Sequence, residues 1–117
     1  MFDLYQEQII DRSKRPRFAG RAEEATLTAE GANSFCGDEV RLTARVENDI
    51  VKELRHETRA CAVCAASADL LAEMAAGQRL LEIKALTPED ITEMLGIPLS
   101  PTRLKCALLP LETLKQA

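Results

Sequence analysis

Four cysteines, one histidine and a carboxylate placed two residues after a cysteine are the groups in this chain best suited to chemistry beyond packing. Cys36 lies in the run Phe35-Cys36-Gly37-Asp38, Cys61 and Cys64 form a C-x-x-C pair, and Cys106 follows Lys105. In a reducing compartment such thiols serve as metal ligands or redox groups, not as staples. Gly37 lets the backbone turn sharply beside Cys36, and Asp38 offers a hard oxygen ligand. Cys61 falls where a strand gives way to a helix, and the positive end of the helix dipole suits an anionic sulfur ligand. Spacing alone is a weak signal. Three thiols on separate elements meet only if the fold brings them together, and a buried cysteine serves equally well as a small hydrophobe.

Two neighbours have bland alternatives. Cys64 shares a helix face with Cys61 at i, i+3. It could serve as a fourth metal ligand or as a resolving thiol, but an Ala-rich helix favours a small buried residue. A thioredoxin-like motif is excluded because no βαβ pattern precedes the pair. His56 alternates with Leu54 and Thr58, so it is expected to face the packed side of a strand in a structural role.

The elements that must position these groups read as follows. Asp3 to Lys14 carries Leu4, Tyr5, Gln8, Ile9 and Arg12 at amphipathic helical spacing, and Pro16 and Gly20 end it. Ala25 to Ala29 predicts a first strand, with a polar turn over Gly31 to Ser34. Val40, Leu42, Ala44 and Val46 alternate with Arg41, Thr43, Arg45 and Glu47, the period of a half-buried strand. Asn48-Asp49 predicts a turn and Ile50 to Thr58 the returning arm. Cys61 to Ala76 predicts a helix stopped by Gly77, and Arg79 to Ala85 a short helical turn. Thr87-Pro88-Glu89-Asp90 and Ser100-Pro101 are helix starts, and Gly96 and Pro98 are stops. Pro110 in the last helix predicts a kink or break, since the carbonyl it cannot bond belongs to Cys106. Strands followed by helices predict an α+β layer: a three-stranded antiparallel sheet packed on one side by helices.

With 117 residues, 46% of them hydrophobic, the chain is expected to form a single domain over 1–117 with a core of aliphatic side chains. Aromatics at 3% and a net charge of −4 argue against nucleic acid, which needs stacking platforms and positive charge. No stretch is apolar enough to span a membrane, and the mixed charges of the first residues do not resemble a signal peptide, so a cytoplasmic location is expected.

Four segments, in order along nearly the whole chain, resemble the iron–sulfur cluster assembly scaffolds of the IscU, SufU and NifU N-terminal type. Tyr5-Gln6-Glu7-Gln8-Ile9-Ile10-Asp11 with Arg15-Pro16-Arg17-Phe18-Ala19-Gly20 is similar to the family's opening helix and turn. Cys36-Gly37-Asp38 is similar to its Cys-Gly-Asp loop. Cys61-Ala62-Val63-Cys64-Ala65-Ala66-Ser67 is similar to its cysteine-led helix start. Leu99-Ser100-Pro101-Thr102-Arg103-Leu104-Lys105-Cys106 resembles the segment around its third cysteine. The resemblance implies an IscU/SufE-like fold and a binding and transfer role rather than turnover. It implies that Cys36, Asp38, Cys61 and Cys106 ligate a transient [2Fe–2S] cluster or Zn²⁺, with Asp38 as the labile ligand. Cys106 or Cys36 would accept persulfide sulfur from a cysteine desulfurase, and apo iron–sulfur proteins would receive the cluster. Two irons take four protein ligands, so three thiolates and one weaker oxygen favour handing the cluster on.

The resemblance has gaps. The IscU branch has His where this chain has Lys105, and a protonated ammonium cannot ligate. The SufU branch also has a basic residue there, but the run from Gly77 to Pro101 is too short for that branch's insertion. SufU likeness implies the alternative function, a zinc-bound sulfur acceptor that stimulates a desulfurase. Ser100, Thr102 and Arg103 depart from the IscU branch's chaperone-binding segment, so an Hsp70-type chaperone is not implied as a partner.

Overall fold

The computed structural model describes residues 2–34 and 37–117; Phe35 and Cys36 lie outside the described residues. Among the described residues the order is α1 (Phe2–Lys14), β1 (Leu27–Asn33), β2 (Asp38–Glu47), β3 (Ile50–Arg59), α2 (Ala62–Ala75), α3 (Leu80–Lys84), α4 (Pro88–Leu95) and α5 (Pro101–Lys115).

The sheet is an antiparallel meander, β1-β2-β3, with β2 in the centre. Its register sets Leu42 between Ala29 and His56, and Ala44 between Leu27 and Leu54. Val40, Leu42 and Ala44 are buried on one face, against which α2 and α5 pack. The other face is polar. There Arg41 reaches across to Glu30 on one side and Glu57 on the other, opposite charges on adjacent strands. The β2–β3 turn is Asn48-Asp49 as the sequence predicts, both residues at positive φ (51° and 66°), the conformation of a tight hairpin turn. The predicted α+β architecture, helices on one side of three antiparallel strands, is the one observed.

Three local expectations are corrected. The first strand is Leu27–Asn33, so the turn expected over Gly31 to Ser34 is mostly strand. Gly31 is there for packing: a Cβ at this position would collide with the Thr113 side chain of α5. Gly31→Ala is therefore expected to destabilise the chain by about 1–3 kcal/mol, as overpacking does. Urea melts would show it, and Thr113→Ala in the same chain should recover part of the loss.

The second correction is the break expected at Pro110, since α5 is one helix from Pro101 to Lys115. Proline removes one backbone bond, but Leu109, Pro110, Leu111, Thr113 and Leu114 are all buried, and this packing holds the helix together. The Thr113 hydroxyl also donates to the Leu109 carbonyl at 2.7 Å.

The third concerns α1. Its predicted apolar face included Leu4, which is 71% exposed, whereas Ile9 and Arg12 are buried. The helix docks on α2 through these latter residues, and Arg12 does so by charge. Arg12 Nη1 donates to Asp69 Oδ2 at 3.0 Å, and its Nη2 donates to Glu73 Oε1 at 2.9 Å. Asp69, fully buried in α2, also accepts from the backbone amides of Arg17 (3.1 Å) and Phe18 (2.8 Å). His56 Nε2 lies 2.9 Å from Asp69 Oδ1, and its Nδ1 lies 2.8 Å from the Thr58 hydroxyl. His56 is thus buried in a structural role, as its alternation on β3 predicts.

Among the described residues, no helix is long and apolar enough to cross a membrane.

Candidate metal centre

Three elements deliver donor atoms to one point. Asp38 opens β2 at the end of the β1–β2 connection, where Gly37 takes φ +74° and donates its amide to the Asn33 carbonyl at 2.8 Å. A side chain strains that backbone region, so glycine beside Cys36 has the role the sequence suggests. Cys61 is the N-cap of α2 with extended backbone (φ −65°, ψ 165°), and its side chain makes no capping hydrogen bond. Cys106 projects from the first half of α5 and is 2% exposed. One donor atom each from Asp38, Cys61 and Cys106 lies within 4.8 Å of the other two. Ligands on one tetrahedral ion with bonds of 2.0–2.3 Å stand about 3.3–3.8 Å apart, so side-chain shifts of about an ångström would close these atoms on an ion.

Two hydrogen bonds fix the frame. The Cys61 amide donates to Asp38 Oδ1 at 3.2 Å, tying the start of α2 to the start of β2. The Ser67 hydroxyl donates to the Ala107 carbonyl at 2.6 Å, tying α2 to α5 next to Cys106. Both α2 and α5 begin at the cleft, since Cys61 caps one and Thr102 and Arg103 lie in the first turn of the other. Their dipoles turn positive ends toward the ligand set, a field that favours anionic ligands.

Asp38 carries the clearest sign of an unmet partner. It is 2% exposed, and its Oδ2 makes no hydrogen bond among the described residues. A buried carboxylate oxygen left alone costs free energy that folding alone does not recover. A cation would satisfy it, so the donor set fits a thiophilic metal or cluster. The cleft in front has a volume of ≈ 480 Å³ and is lined by Asp38, Cys61, Cys106, Arg59, Thr102 and Arg103 among others.

The other sequence candidates fall elsewhere. Cys36 lies outside the described residues, one position before Gly37 of the cleft wall. Cys64 is fully buried in the core and is not among the donors that converge among the described residues. Lys105 is exposed and does not line the cleft, consistent with its neighbour Cys106 facing inward. His56 is held by Asp69 and Thr58, away from the donors. Sequence reasoning missed Asp69, Ser67 as a tie to α5, and Arg59. The one available signal was Asp69 itself, an acid set between Ala68 and Leu70 in an Ala- and Leu-rich helix.

Comparison with known proteins bears on this geometry. A family model described as the NifU-like N-terminal domain matches residues 4–117. The iron–sulfur cluster assembly scaffold protein IscU of Thermotoga maritima is 35% identical over 130 residues, covering 97% of this chain and 92% of that protein. The zinc-dependent sulfurtransferase SufU of Bacillus subtilis is 27% identical over 130 residues, covering 97% of this chain and 88% of its own. Among solved structures, a candidate iron–sulfur cluster assembly scaffold for the SUF system of Fervidobacterium islandicum superposes with a TM-score of 0.80. It is 30% identical, with 95% of this chain and 93% of that chain covered.

Proposed function

The chain belongs to the NifU-like N-terminal domain family, and from that premise we propose that it is a scaffold on which a [2Fe–2S] cluster is assembled as cargo and passed on. The observation that carries this is the convergence of an Asp38 carboxylate oxygen with the sulfurs of Cys61 and Cys106, where Asp38 Oδ2 is buried without a hydrogen bond among the described residues. In this reading Cys36, Asp38, Cys61 and Cys106 hold the cargo, and the chain acts as one domain over residues 1–117. Sulfur arrives from a cysteine desulfurase as persulfide on Cys106 or Cys36, a two-electron donor external to this chain reduces its outer sulfur to sulfide and frees the thiol, and the cluster leaves to apo iron–sulfur proteins. Three thiolates bind firmly while the carboxylate oxygen, the poorest match for iron in the set, is the ligand to be displaced. This chemistry belongs in the cytoplasm, where the thiols stay reduced.

A second reading has support in the structure: a Zn²⁺-bound sulfur acceptor that stimulates a desulfurase. Its support is the absence of a histidine donor, since the only one is held in the core. The remaining four ligands satisfy one tetrahedral zinc ion without an open position.

Anaerobic reconstitution with iron, cysteine, a desulfurase and a thiol reductant that releases sulfide from the persulfide separates the two. The expected result is a visible chromophore that transfers to an apo-ferredoxin and is lost in Cys61→Ser and Cys106→Ser. Tight zinc that raises desulfurase turnover, with no chromophore, would select the second reading. Unchanged metal content in single Cys→Ser variants at positions 36, 61 and 106 would sink both.

A further inference from the structure

Two buried hydroxyls donate to backbone carbonyls of α5. Thr113 Oγ1 reaches the Leu109 carbonyl at 2.7 Å within its own helix. Ser67 Oγ reaches the Ala107 carbonyl at 2.6 Å from α2, 40 residues away in sequence. Ser67 is 1% exposed and Ala107 fully buried. So short a side chain meets another helix's backbone only where the two helices approach closely, and the small side chain of Ala107 leaves room for that. The bond falls one residue beyond Cys106, in the stretch that Pro110 alters. Proline has no N–H, so the amide that an uninterrupted helix offers to the Cys106 carbonyl, four residues back, is missing. One restraint within α5 is thereby removed at the residue that carries a donor atom. Ser67 attaches a restraint at the next carbonyl, and it comes from the helix that Cys61 caps.

Resting on the function proposed above, we propose that Ser67 is a positioning residue for the metal centre, supplying from α2 the restraint that Pro110 withholds from the turn carrying Cys106. It acts through the Ala107 carbonyl and not as a ligand. The tie sets Cys106 against Cys61, the two sulfurs that must meet one ion from different helices. Donors already held near their bound positions need no ordering when metal arrives, so a looser seat of α5 on α2 weakens binding and changes the geometry around the ion. Ser67→Ala deletes the donating hydroxyl and leaves no buried donor behind. The Ala107 carbonyl also has the Leu111 amide four residues on in the same helix, so the variant is expected to fold.

The test uses the full chain at fixed pH, below its melting range. Competition with a chromophoric chelator measures Zn²⁺ affinity, and the visible absorption of Co²⁺ bound in place of zinc reports the ligand geometry. Ser67→Ala should weaken zinc binding roughly tenfold, the low end of what outer-shell changes give, and shift the cobalt spectrum. Thr113→Ala loses a buried hydroxyl bond of the same kind on the same helix. It should melt below the parent as Ser67→Ala does, yet keep parental zinc affinity and cobalt spectrum. Pro110→Ala returns an amide to the turn, and in that background Ser67→Ala should cost no more than about twofold. Ser67→Thr keeps a hydroxyl and should bind both metals like the parent, which carries the test if the Ala chain does not fold. A Ser67→Ala chain that melts lower but binds zinc and cobalt as the parent does would make the hydroxyl a packing bond alone and overturn the proposal. Equal losses with and without Pro110, or a folded Ser67→Thr chain that binds weakly, would overturn it too, and all three leave the scaffold reading intact. A parent chain that binds neither metal nor cluster would overturn that reading and the role of Ser67 with it.

Discussion

Asp69→Ala is expected to lose about 3–5 kcal/mol of folding stability, the cost of breaking a buried ion pair by removing one partner. Asp69 accepts four hydrogen bonds, two on each oxygen, from Arg12, the Arg17 amide, the Phe18 amide and His56. Its side chain is 0% exposed and that of Arg12 4% exposed. Removing it leaves a guanidinium, two amides and an imidazole facing a cavity, with only Glu73 remaining for Arg12. Asp69→Asn should be nearly as damaging. The amide keeps the shape, but its NH₂ would oppose donors on one side and the charge facing Arg12 is gone. Urea melts of parent and variants measure both. A loss below about 1 kcal/mol for Asp69→Ala would show that the network adds little beyond a hydrophobic isostere, as some buried pairs do.

The same residue sets an acid limit. Burial alone would raise the Asp69 pKa, but the bonds from His56 and Arg12 and the amides of Arg17 and Phe18 outweigh it and hold the carboxyl below its ordinary value. A carboxyl depressed by folding stabilises the chain fully above its unfolded pKa of about 3.9, and that contribution drains away as pH falls through the lower folded value. Unfolding free energy should therefore fall from about pH 4 downward. The fall should be shallower in Asp69→Asn, which has no proton to take up there.

What could be foreseen from sequence divides along local and tertiary causes. The β2–β3 hairpin was legible because alternation and an Asn-Asp turn lie within one segment. The start of α4 was legible for the same reason: Thr87 Oγ1 accepts from the Asp90 amide at 3.2 Å, and the Asp90 carboxylate accepts from the Thr87 amide at 2.8 Å. Gly31 was misread as a turn because its reason for being glycine, Thr113, lies on another element. The Asp69 network was invisible because its donors come from α1, the segment after it and β3, and no spacing encodes that convergence. The metal centre is intermediate. Nothing in the distance along the chain from Asp38 to Cys61 or Cys106 says that their donor atoms approach within 4.8 Å. Only the order of short motifs did, and motifs are silent on Arg59, which lines the cleft beside Asp38 and Cys61.

Asp38→Ala should separate folding from function more cleanly than any other change. In the metal-free chain Asp38 Oδ2 is buried without a partner among the described residues, a defect worth about 1–3 kcal/mol, while Oδ1 gains only the 3.2 Å bond from the Cys61 amide. Removing the carboxylate is thus expected to leave the metal-free chain as stable as the parent, or up to about 1 kcal/mol more so. The loaded state should move the other way. Loss of one of the four proposed ligands should weaken zinc binding by on the order of a hundredfold or more, a larger effect than outer-shell changes give. Binding to the folded state alone stabilises by RT ln(1 + [L]/Kd), so zinc in large excess should add about 4 kcal/mol to the parent at a thousand times Kd, and about 1.4 kcal/mol at the same concentration after a hundredfold loss. Thermal melts of parent and variant, with and without zinc, read both halves at once. A metal-free Asp38→Ala chain that melts well below the parent would mean the carboxylate is structural, held by more than the Cys61 amide. Equal zinc-induced shifts in the two chains would remove Asp38 from the ligand set and leave the three cysteines to bind alone.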